Sequence, residues 1–386
     1  MFEYFPDNYT WTLATMICLN SGGRIAEVDE ACRPLKEIAK RGEAPEALEQ
    51  WYQSWKRVAE RVEQLAVHDE ESGHPLSAGR KYLRASLYYI AAERLMTNLD
   101  SRKVQVYKQV LSAFKKGVQL RREPVEFVEV PFQGSSLPSL FFPGIGDGRR
   151  PCMVHFGGFD SLKEILYTRI GHEFRLRGIS LLIVDHPGVG EALRLRNLYS
   201  APNTEVPAAA CVDYLETHPD VDPDRIGIMA LSLGGYYAPR AAAFEKRFKC
   251  CVAWGAMWDF NKMGRKRSIV EEDEYASVPS FQATWVFGKN TPEEALEVMK
   301  ELTLEEVIDK VTCPLLVVHG ENDRQVPLWQ AEKTIEAAVN SPGRKLKVFT
   351  LAEGGAEHCG TDNSAMQVDY MADWVAEILG GDPKGV

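Results

Sequence analysis

Apolar positions recur three and four residues apart through the first 122 residues of the chain. This spacing predicts amphipathic helices, because it gathers the apolar side chains on one face of each helix. Turn-forming residues separate the segments, as at Ser21-Gly22-Gly23 and Arg41-Gly42. The predicted helices span residues 26–39, 45–67, 77–96 and 101–120. Residues 1–122 are therefore expected to form a helical N-terminal domain.

The third of these helices is rich in tyrosine. Tyr82, Tyr88 and Tyr89 fit two interpretations. In the first they pack between neighbouring helices, which is the usual place of aromatic residues in a helix of this kind. In the second, one of them faces a substrate cavity.

From Pro124 onward the pattern changes to short apolar runs of strand type. Helical segments separate most of these runs after residue 156, and such alternation is typical of a parallel sheet covered on both faces. The first two runs have no helix between them, which predicts an antiparallel start. The predicted strands span residues 125–132, 137–142, 151–156, 180–184, 226–231, 250–254, 315–318 and 346–351. Residues 123–386 are therefore expected to form an α/β domain with a mostly parallel sheet.

This alternation is interrupted between about residues 258 and 310. Charged clusters at 265–267 and 271–274 come first, then several aromatic residues, and then an acidic helix that begins after Thr291. Long excursions between two sheet strands commonly form lids over active sites. We therefore expect a lid-like insertion in the α/β domain.

Composition narrows the range of partners. The chain has 386 residues, of which 45% are hydrophobic and 26% charged, and its net charge of −10 argues against nucleic acid or an anionic membrane as a partner. The eight cysteines are scattered without a C-x-x-C pair, which indicates buried, reduced thiols. Because the first residues also lack the basic segment of an export signal, a cytoplasmic location is expected.

Ser232 lies between a predicted strand and a helix. The apolar run from Ile226 to Leu231 leads into this serine, and Gly234 and Gly235 follow it. A serine on a tight strand-to-helix turn with small neighbours is typical of a nucleophile elbow. Ala230 occupies the first small position of that motif. The sequence predicts that Ser232 is a nucleophile.

An acid and a histidine follow Ser232 in the order expected of a catalytic triad. Asp323 lies in a turn after the strand at 315–318, and His358 lies in a glycine-containing loop after the last strand. His358 would take the proton of Ser232, and Asp323 would orient the imidazole. Asp259 and Glu357 are alternative candidates for the acid.

Attack on a carbonyl also requires hydrogen-bond donors for the oxyanion. The amide of Leu233, directly after the nucleophile, is one expected donor. The second is expected from the amide of Phe159 or Gly158, in the loop after the strand at 151–156. The sequence contains neither a phosphate-binding glycine motif nor H-E-x-x-H spacing, so we expect catalysis without a metal or an organic cofactor.

With these motifs the chain resembles the α/β-hydrolases. Within them it is most similar to a group that includes the fermentation-respiration switch esterase-like proteins, fungal polyketide-shortening hydrolases and 2,6-dihydroxypseudooxynicotine hydrolase. The resemblance covers nearly the whole chain, although Ala230 and His186 stand where many members have glycine. It rests on residues 78–89, 157–164, 185–191, 230–235, 319–323 and 357–359.

The resemblance implies an α/β-hydrolase fold preceded by helices that cap the site, and a homodimer. It also implies hydrolysis of a carbon–carbon bond in a β-diketone-like or aryl ketone substrate, through an acyl-enzyme on Ser232. Glu164 and Glu191 match acidic positions in the family's loops and would hold a polar group of the substrate.

The substrate is expected to be a small molecule with an aromatic group, contacted by Tyr236, Trp258 and Trp285. The same triad also fits a carboxylesterase, a lactone hydrolase or an acyltransferase, since all of these begin with attack on a carbonyl. A ligand-binding or protein-partner module on a hydrolase scaffold is the non-enzymatic alternative.

Overall fold

The computed structural model describes residues 2–159, 161–262 and 275–385, and the chain divides into two compact units. A helical unit comprises Met1–Pro124 and the described part of Ser268–Gln282, and a sheet unit comprises Val125–Arg267 and Ala283–Val386. Residues 275–282, predicted as part of the insertion in the α/β domain, belong to the helical unit. Both charged clusters predicted in this insertion, at 265–267 and 271–274, lie outside the described residues.

The helical unit is built mainly from five helices, with α4 packed against both α3 and α5. They are α1 (Tyr9–Asn20), α2 (Ile25–Cys32), α3 (Pro45–Glu71), α4 (Pro75–Arg94) and α5 (Arg102–Arg121). The predicted helix at 26–39 is wrong beyond Cys32, because Pro34 cannot continue the α-helical hydrogen bonding and short 3₁₀ turns follow. Helix α1 was not predicted. Its apolar residues are buried on most sides, so no single face stands out in the sequence.

The tyrosines of α4 are buried and hydrogen-bonded within the helical unit. The hydroxyl of Tyr82 donates to Glu70 over 2.9 Å, and that of Tyr89 donates to Glu63 over 2.6 Å. The Tyr88 hydroxyl donates to Glu27. These bonds favour the interpretation that the three tyrosines connect α4 to its neighbours.

A buried ion pair joins α4 to the start of α5. The ammonium of Lys103 lies 2.7 Å from a carboxylate oxygen of Glu93, and the two side chains are 2% and 1% exposed. Lys103 also donates to the backbone carbonyls of Glu93 and Met96, over 2.8 and 3.0 Å. Because both side chains are buried, removing one partner leaves a charge that solvent cannot compensate.

Replacing Lys103 with methionine is therefore expected to lower the free energy of unfolding by about 3–5 kcal/mol. Equilibrium denaturation in urea measures this loss. A double variant, Lys103→Met with Glu93→Leu, serves as the control, because it removes both charges and is expected to regain most of the stability. Unchanged stability of the single variant would contradict the assignment of this pair.

The sheet unit contains an 8-stranded sheet in the order β1-β2-β4-β3-β5-β6-β7-β8. Its strands are β1 (Glu126–Phe132), β2 (Ser135–Phe142), β3 (Arg150–Phe156), β4 (Ser180–Val184), β5 (Val221–Leu231), β6 (Cys251–Trp254), β7 (Leu315–Gly320) and β8 (Lys345–Phe349). Strand β2 pairs antiparallel with β1 and β4, and the remaining pairs are parallel. This arrangement confirms the predicted fold class, including its antiparallel start.

Helices connect the strands from β3 onward, and a last helix follows β8. They are α6 (Lys163–Leu176), α7 (Gly190–Arg196), α8 (Glu205–Glu216), α9 (Gly234–Phe244), α10 (Gln282–Val286), α11 (Pro292–Lys300), α12 (Trp329–Ala337) and α13 (Ser364–Leu379). Strands β3, β4, β6 and β7 are almost wholly buried, and so is β5 from Ile226 onward, as expected of a sheet covered on both faces. None of the helices in the described residues is long and apolar enough to cross a membrane. The carboxyl ends of the parallel strands meet at one edge, where ligands of such sheets bind.

Candidate active site

Ser232 occupies a strained turn between β5 and α9. Its φ angle of 61° lies in the left-handed region, which is costly for a residue other than glycine. The turn requires small neighbours, because a Cβ on Gly235 would lie 1.9 Å from the carbonyl oxygen of Gly255. A Cβ on Gly234 would lie 2.5 Å from that of Ala230. Alanine therefore fits at position 230 while position 234 requires glycine.

The carboxylate of Asp323 faces the imidazole of His358. Its Oδ1 accepts hydrogen bonds from the amides of Gln325 and Val326, each over 2.8 Å. These two bonds fix the carboxylate within the turn after β7. Its Oδ2 lies 2.7 Å from Nδ1 of His358.

The opposite nitrogen of His358 reaches Ser232. The distance from Nε2 to the Ser232 oxygen is 2.7 Å. Asp362 holds the loop that carries the histidine, because its Oδ2 accepts from the amides of Gly355 and Ala356, over 2.9 and 3.1 Å. The structure thus joins Ser232, His358 and Asp323 in one hydrogen-bonded chain.

Electrostatics within this chain favour a basic imidazole. Burial by itself lowers the pKa of His358, but the negative charge of Asp323 and its hydrogen bond outweigh this effect and raise the pKa above its usual value. Burial by itself would raise the pKa of Asp323, whereas the positive charge of His358 and its hydrogen bond lower it below its usual value. Asp323 is therefore ionised at neutral pH and stabilises the protonated imidazole.

Both alternative acids are held by other groups. Asp259 accepts from the amide of Asn261 over 2.8 Å and lies 3.2 Å from the ammonium of Lys262, so it closes a turn after β6. Glu357 pairs with Arg324 over 3.1 Å and accepts from the side-chain amide of Asn322 over 2.7 Å. The geometry favours Asp323 over both.

His319, at the end of β7, contacts both the Asp323 turn and the residues after β6, and the sequence did not single it out. Its ring is buried, and burial lowers its pKa, so it is neutral. One ring nitrogen donates to the carbonyl of Val326 over 2.9 Å, and the other accepts from the amide of Ala256 over 3.3 Å. The ring therefore ties the Asp323 turn to the end of β6.

The loop after β3 lies directly against the elbow. A Cβ on Gly158 would lie 2.5 Å from the carbonyl oxygen of Leu231 and 3.3 Å from the amide nitrogen of Leu233, so glycine is needed for this approach. The Gly158 amide itself donates to the hydroxyl of Ser161 over 3.1 Å. Phe159 and Leu233 differ, because no acceptor within the described residues takes either amide. Position 160 of this loop lies outside the described residues.

Glu164 and Glu191 belong to a charged cluster in which Glu164 is buried and Glu191 is half-buried. The ammonium of Lys163 lies 2.8 Å from Asp185, 2.9 Å from Glu164 and 3.3 Å from Glu191. Asp185 also accepts from the amides of Lys163 and Glu191, over 3.0 and 2.8 Å, which fastens the 185–191 loop to the start of α6. Burial raises the pKa of Glu164, because the nearby lysine compensates only part of the desolvation.

Other groups hold the three aromatic residues predicted to contact the substrate. The hydroxyl of Tyr236 donates to a backbone carbonyl over 2.9 Å, and the amide of Trp258 donates to the side chain of Gln330 over 2.7 Å. The Trp285 ring lies beneath the guanidinium of Arg194, at 5.2 Å. Their contact with a substrate stays a prediction.

Several known proteins are similar to this chain in sequence. The sequence model described as Esterase FrsA-like matches residues 48–269, and that of the Prolyl oligopeptidase family matches residues 201–382. A 2,6-dihydropseudooxynicotine hydrolase of Paenarthrobacter nicotinovorans is 28% identical over 330 residues, covering 85% of this chain and 84% of the relative. Hydrolase ORFZ of Pyricularia oryzae is 30% identical over 308 residues, covering 69% and 72%.

Solved structures are also similar to this chain. The crystal structure of a 2,6-dihydroxy-pseudo-oxynicotine hydrolase superposes with a TM-score of 0.75 at 26% identity, covering 94% of this chain and 95% of the other. The structure of AbyA5 shares the fold, with a TM-score of 0.62 at 20% identity and coverage of 84% and 90%. The chain is thus a hydrolase enzyme of the α/β-hydrolase fold, and it belongs to the esterase FrsA-like family.

Proposed function

We propose that Ser232, His358 and Asp323 form the catalytic triad of this serine hydrolase. The observation that carries the proposal is the chain of two 2.7 Å contacts that runs from the Ser232 oxygen through both imidazole nitrogens to the Asp323 carboxylate. A serine hydroxyl is a weak nucleophile at neutral pH, and an adjacent base that removes its proton overcomes this weakness. General-base assistance of this kind typically contributes about 10²- to 10⁴-fold.

In the proposed reaction, the Ser232 oxygen attacks the substrate carbonyl while Nε2 of His358 takes the hydroxyl proton. The carbonyl oxygen becomes an oxyanion that accepts hydrogen bonds from the amides of Leu233 and Phe159. His358 then gives the proton to the leaving group, and an ester of Ser232 remains. Water, deprotonated by His358, attacks that ester and releases the acid and the free serine.

We propose that the bond broken is a carbon–carbon bond beside the carbonyl of a β-diketone-like or aryl ketone substrate. Similarity to the relatives named as pseudo-oxynicotine hydrolases supports this substrate class. The leaving carbon departs with the electron pair of the broken bond, as an enolate-like group that takes the proton of His358. The buried Glu164, together with Glu191, is proposed to bind a polar group of the substrate.

An esterase reaction is the second candidate. The family that matches most of the chain is described as esterase-like, and attack on an ester uses the same nucleophile and oxyanion donors. An alkoxide leaving group needs only the proton from His358, whereas a carbon leaving group also needs stabilisation of its negative charge. The two reactions therefore differ in the leaving group and not in the attack.

Substrate size, assembly and location complete the proposal. We propose a small aromatic substrate, and the pair formed by Phe159 and Phe287, with ring centroids 6.1 Å apart, supports an apolar surface beside the oxyanion loop. We also propose a homodimer and a capping role for the helical N-terminal part, on the strength of the resemblance to the hydrolase group. All eight cysteines are buried and free, which is consistent with the proposed cytoplasmic location.

A panel of aryl 1,3-diketones and matched aryl esters tests the reaction. Incubation in ¹⁸O-labelled water, followed by mass spectrometry, is expected to show that a diketone yields an aryl acid with one labelled oxygen and an unlabelled methyl ketone. Turnover of the esters alone would replace this proposal with the esterase reaction. If neither class is turned over and a fluorophosphonate does not label the protein, the serine hydrolase mechanism itself is refuted.

A further inference from the structure

Arg169, on α6, contacts both the histidine loop and the end of β6. Its Nη2 donates to the backbone carbonyl of Cys359, directly after His358, over 3.1 Å. Its guanidinium stacks on the ring of Trp254, with 4.9 Å between the guanidinium carbon and the ring centroid. Among the residues that the structure describes, no carboxylate forms an ion pair with Arg169. Within that part of the chain, this cation therefore contacts the histidine loop and the Trp254 ring.

Trp254 connects these contacts to the nucleophile. Its backbone carbonyl accepts a hydrogen bond from the amide of Ser232 over 2.7 Å. Its indole N–H donates to the side chain of Gln367, whose amide in turn donates to the carbonyl of Gly355 over 2.6 Å. Gly355 lies in the same loop as His358, so the elbow and the histidine loop are both fixed to one tryptophan.

The loop fits tightly against the end of β6 at Cys359. This residue has a φ angle of 48°, in the left-handed region that a residue other than glycine keeps only where its surroundings enforce it. Its thiol donates to the carbonyl of Trp254 over 3.3 Å, and a Cβ on Gly255 would lie 2.8 Å from its sulfur. The bond from Arg169 to the Cys359 carbonyl holds this strained backbone from the other side.

We propose that Arg169 is a positioning residue that keeps the His358 loop against β6, so that Nε2 stays within hydrogen-bond reach of Ser232. The inference rests on the proposed triad, because it assigns Arg169 a role that acts through His358. Misplacement of a catalytic group by about 1 Å can cost about 10²-fold in rate. Without the Arg169 contacts, the His358 loop is expected to shift by a distance of this order.

Arg169→Met is therefore expected to lower kcat on an activated aryl ester by about 10²-fold, with a much smaller change in KM. Added guanidinium ion is expected to restore part of the rate. Arg175→Met is the matched control, because Arg175 lies on the same helix and stacks on Phe142 at 5.5 Å. The control is expected to retain the wild-type rate.

The decisive measurement repeats the substitution in a His358→Ala background, using the residual rate that such variants retain over water. If Arg169 acts through His358, Arg169→Met is expected to cause no further loss there. An equal loss in both backgrounds, or a wild-type rate for the single variant, would overturn the proposal. Arg169→Lys, assayed the same way, replaces the methionine variant if that variant does not fold. Full turnover by His358→Ala would instead refute the triad itself.

Discussion

Replacing Ser232 with alanine is expected to lower kcat by about 10⁵- to 10⁶-fold on any substrate that the enzyme turns over. The variant keeps the oxyanion donors and His358, but it has no oxygen that can form the acyl-enzyme. Alanine is a small change at this strained position, so the protein is expected to fold. Steady-state kinetics measure the loss of turnover. Mass spectrometry after treatment with a fluorophosphonate is expected to show the added mass of the label on the wild type and not on the variant.

Ser341→Ala is the control for this substitution. Ser341 is also a buried serine of the sheet unit, and its hydroxyl donates to the carbonyl of Cys313 over 2.7 Å. It precedes β8, away from the carboxyl edge of the sheet, so its loss is expected to leave both rate and labelling unchanged. Turnover by Ser232→Ala at the wild-type rate would show that another group is the nucleophile.

The sheet could be predicted from sequence because its strands are short apolar runs between helices. All of the predicted runs became strands, although β5 begins at Val221 and not at Ile226. Residues 221–225 are mostly polar and only partly buried, so hydrophobicity gave no signal there. The periodic pattern failed for two helices. The helix predicted at 26–39 ends early because of Pro34, and α1 was missed because it is buried on several sides.

The order of Ser232, Asp323 and His358 along the chain predicted the proposed triad, but it left Asp259 and Glu357 as alternative acids. Asp259 and Asp323 follow β6 and β7, which are neighbours in the sheet, so both lie near the same edge. The turn geometry separates them, since Asp259 closes its own turn while Asp323 has one oxygen directed at His358. Such side-chain directions are set by backbone angles that composition does not encode.

The contacts that support the site were beyond sequence reasoning for a related reason. Arg169, Trp254 and Gln367 are far apart in the chain, and each has an ordinary helical or strand context. The hydrogen bond from the Gly158 amide to Ser161 joins near neighbours in the chain but was also not predicted, and it leaves the amide of Phe159 as the proposed oxyanion donor of this loop. Glycines in the sequence of this loop indicate that its backbone approaches the elbow closely. They do not indicate which of its amides is free to donate to an oxyanion.

Asp323→Asn is expected to lower kcat/KM by about 10⁴-fold, whereas Asp259→Asn is expected to stay close to the wild type. The asparagine keeps an oxygen for the amides of Gln325 and Val326, but its NH₂ faces Nδ1 of His358 and favours the wrong tautomer. The same substitution is expected to change the pH profile. The neutral imidazole is the base, so the wild-type rate rises with pH through the pKa of His358, which Asp323 raises above the usual value of about 6.5.

Loss of the negative charge lowers the pKa of His358, so in Asp323→Asn the rising limb is expected at lower pH and to lead to a much lower plateau. Profiles of kcat/KM for both asparagine variants and the wild type measure this shift. Asp259→Asn is the matched control, since it removes one carboxylate from the end of the neighbouring strand without touching the imidazole. If instead Asp259→Asn loses the activity and Asp323→Asn keeps both its rate and its rising limb, then Asp259 is the acid and the contact between Asp323 and His358 does not act in catalysis.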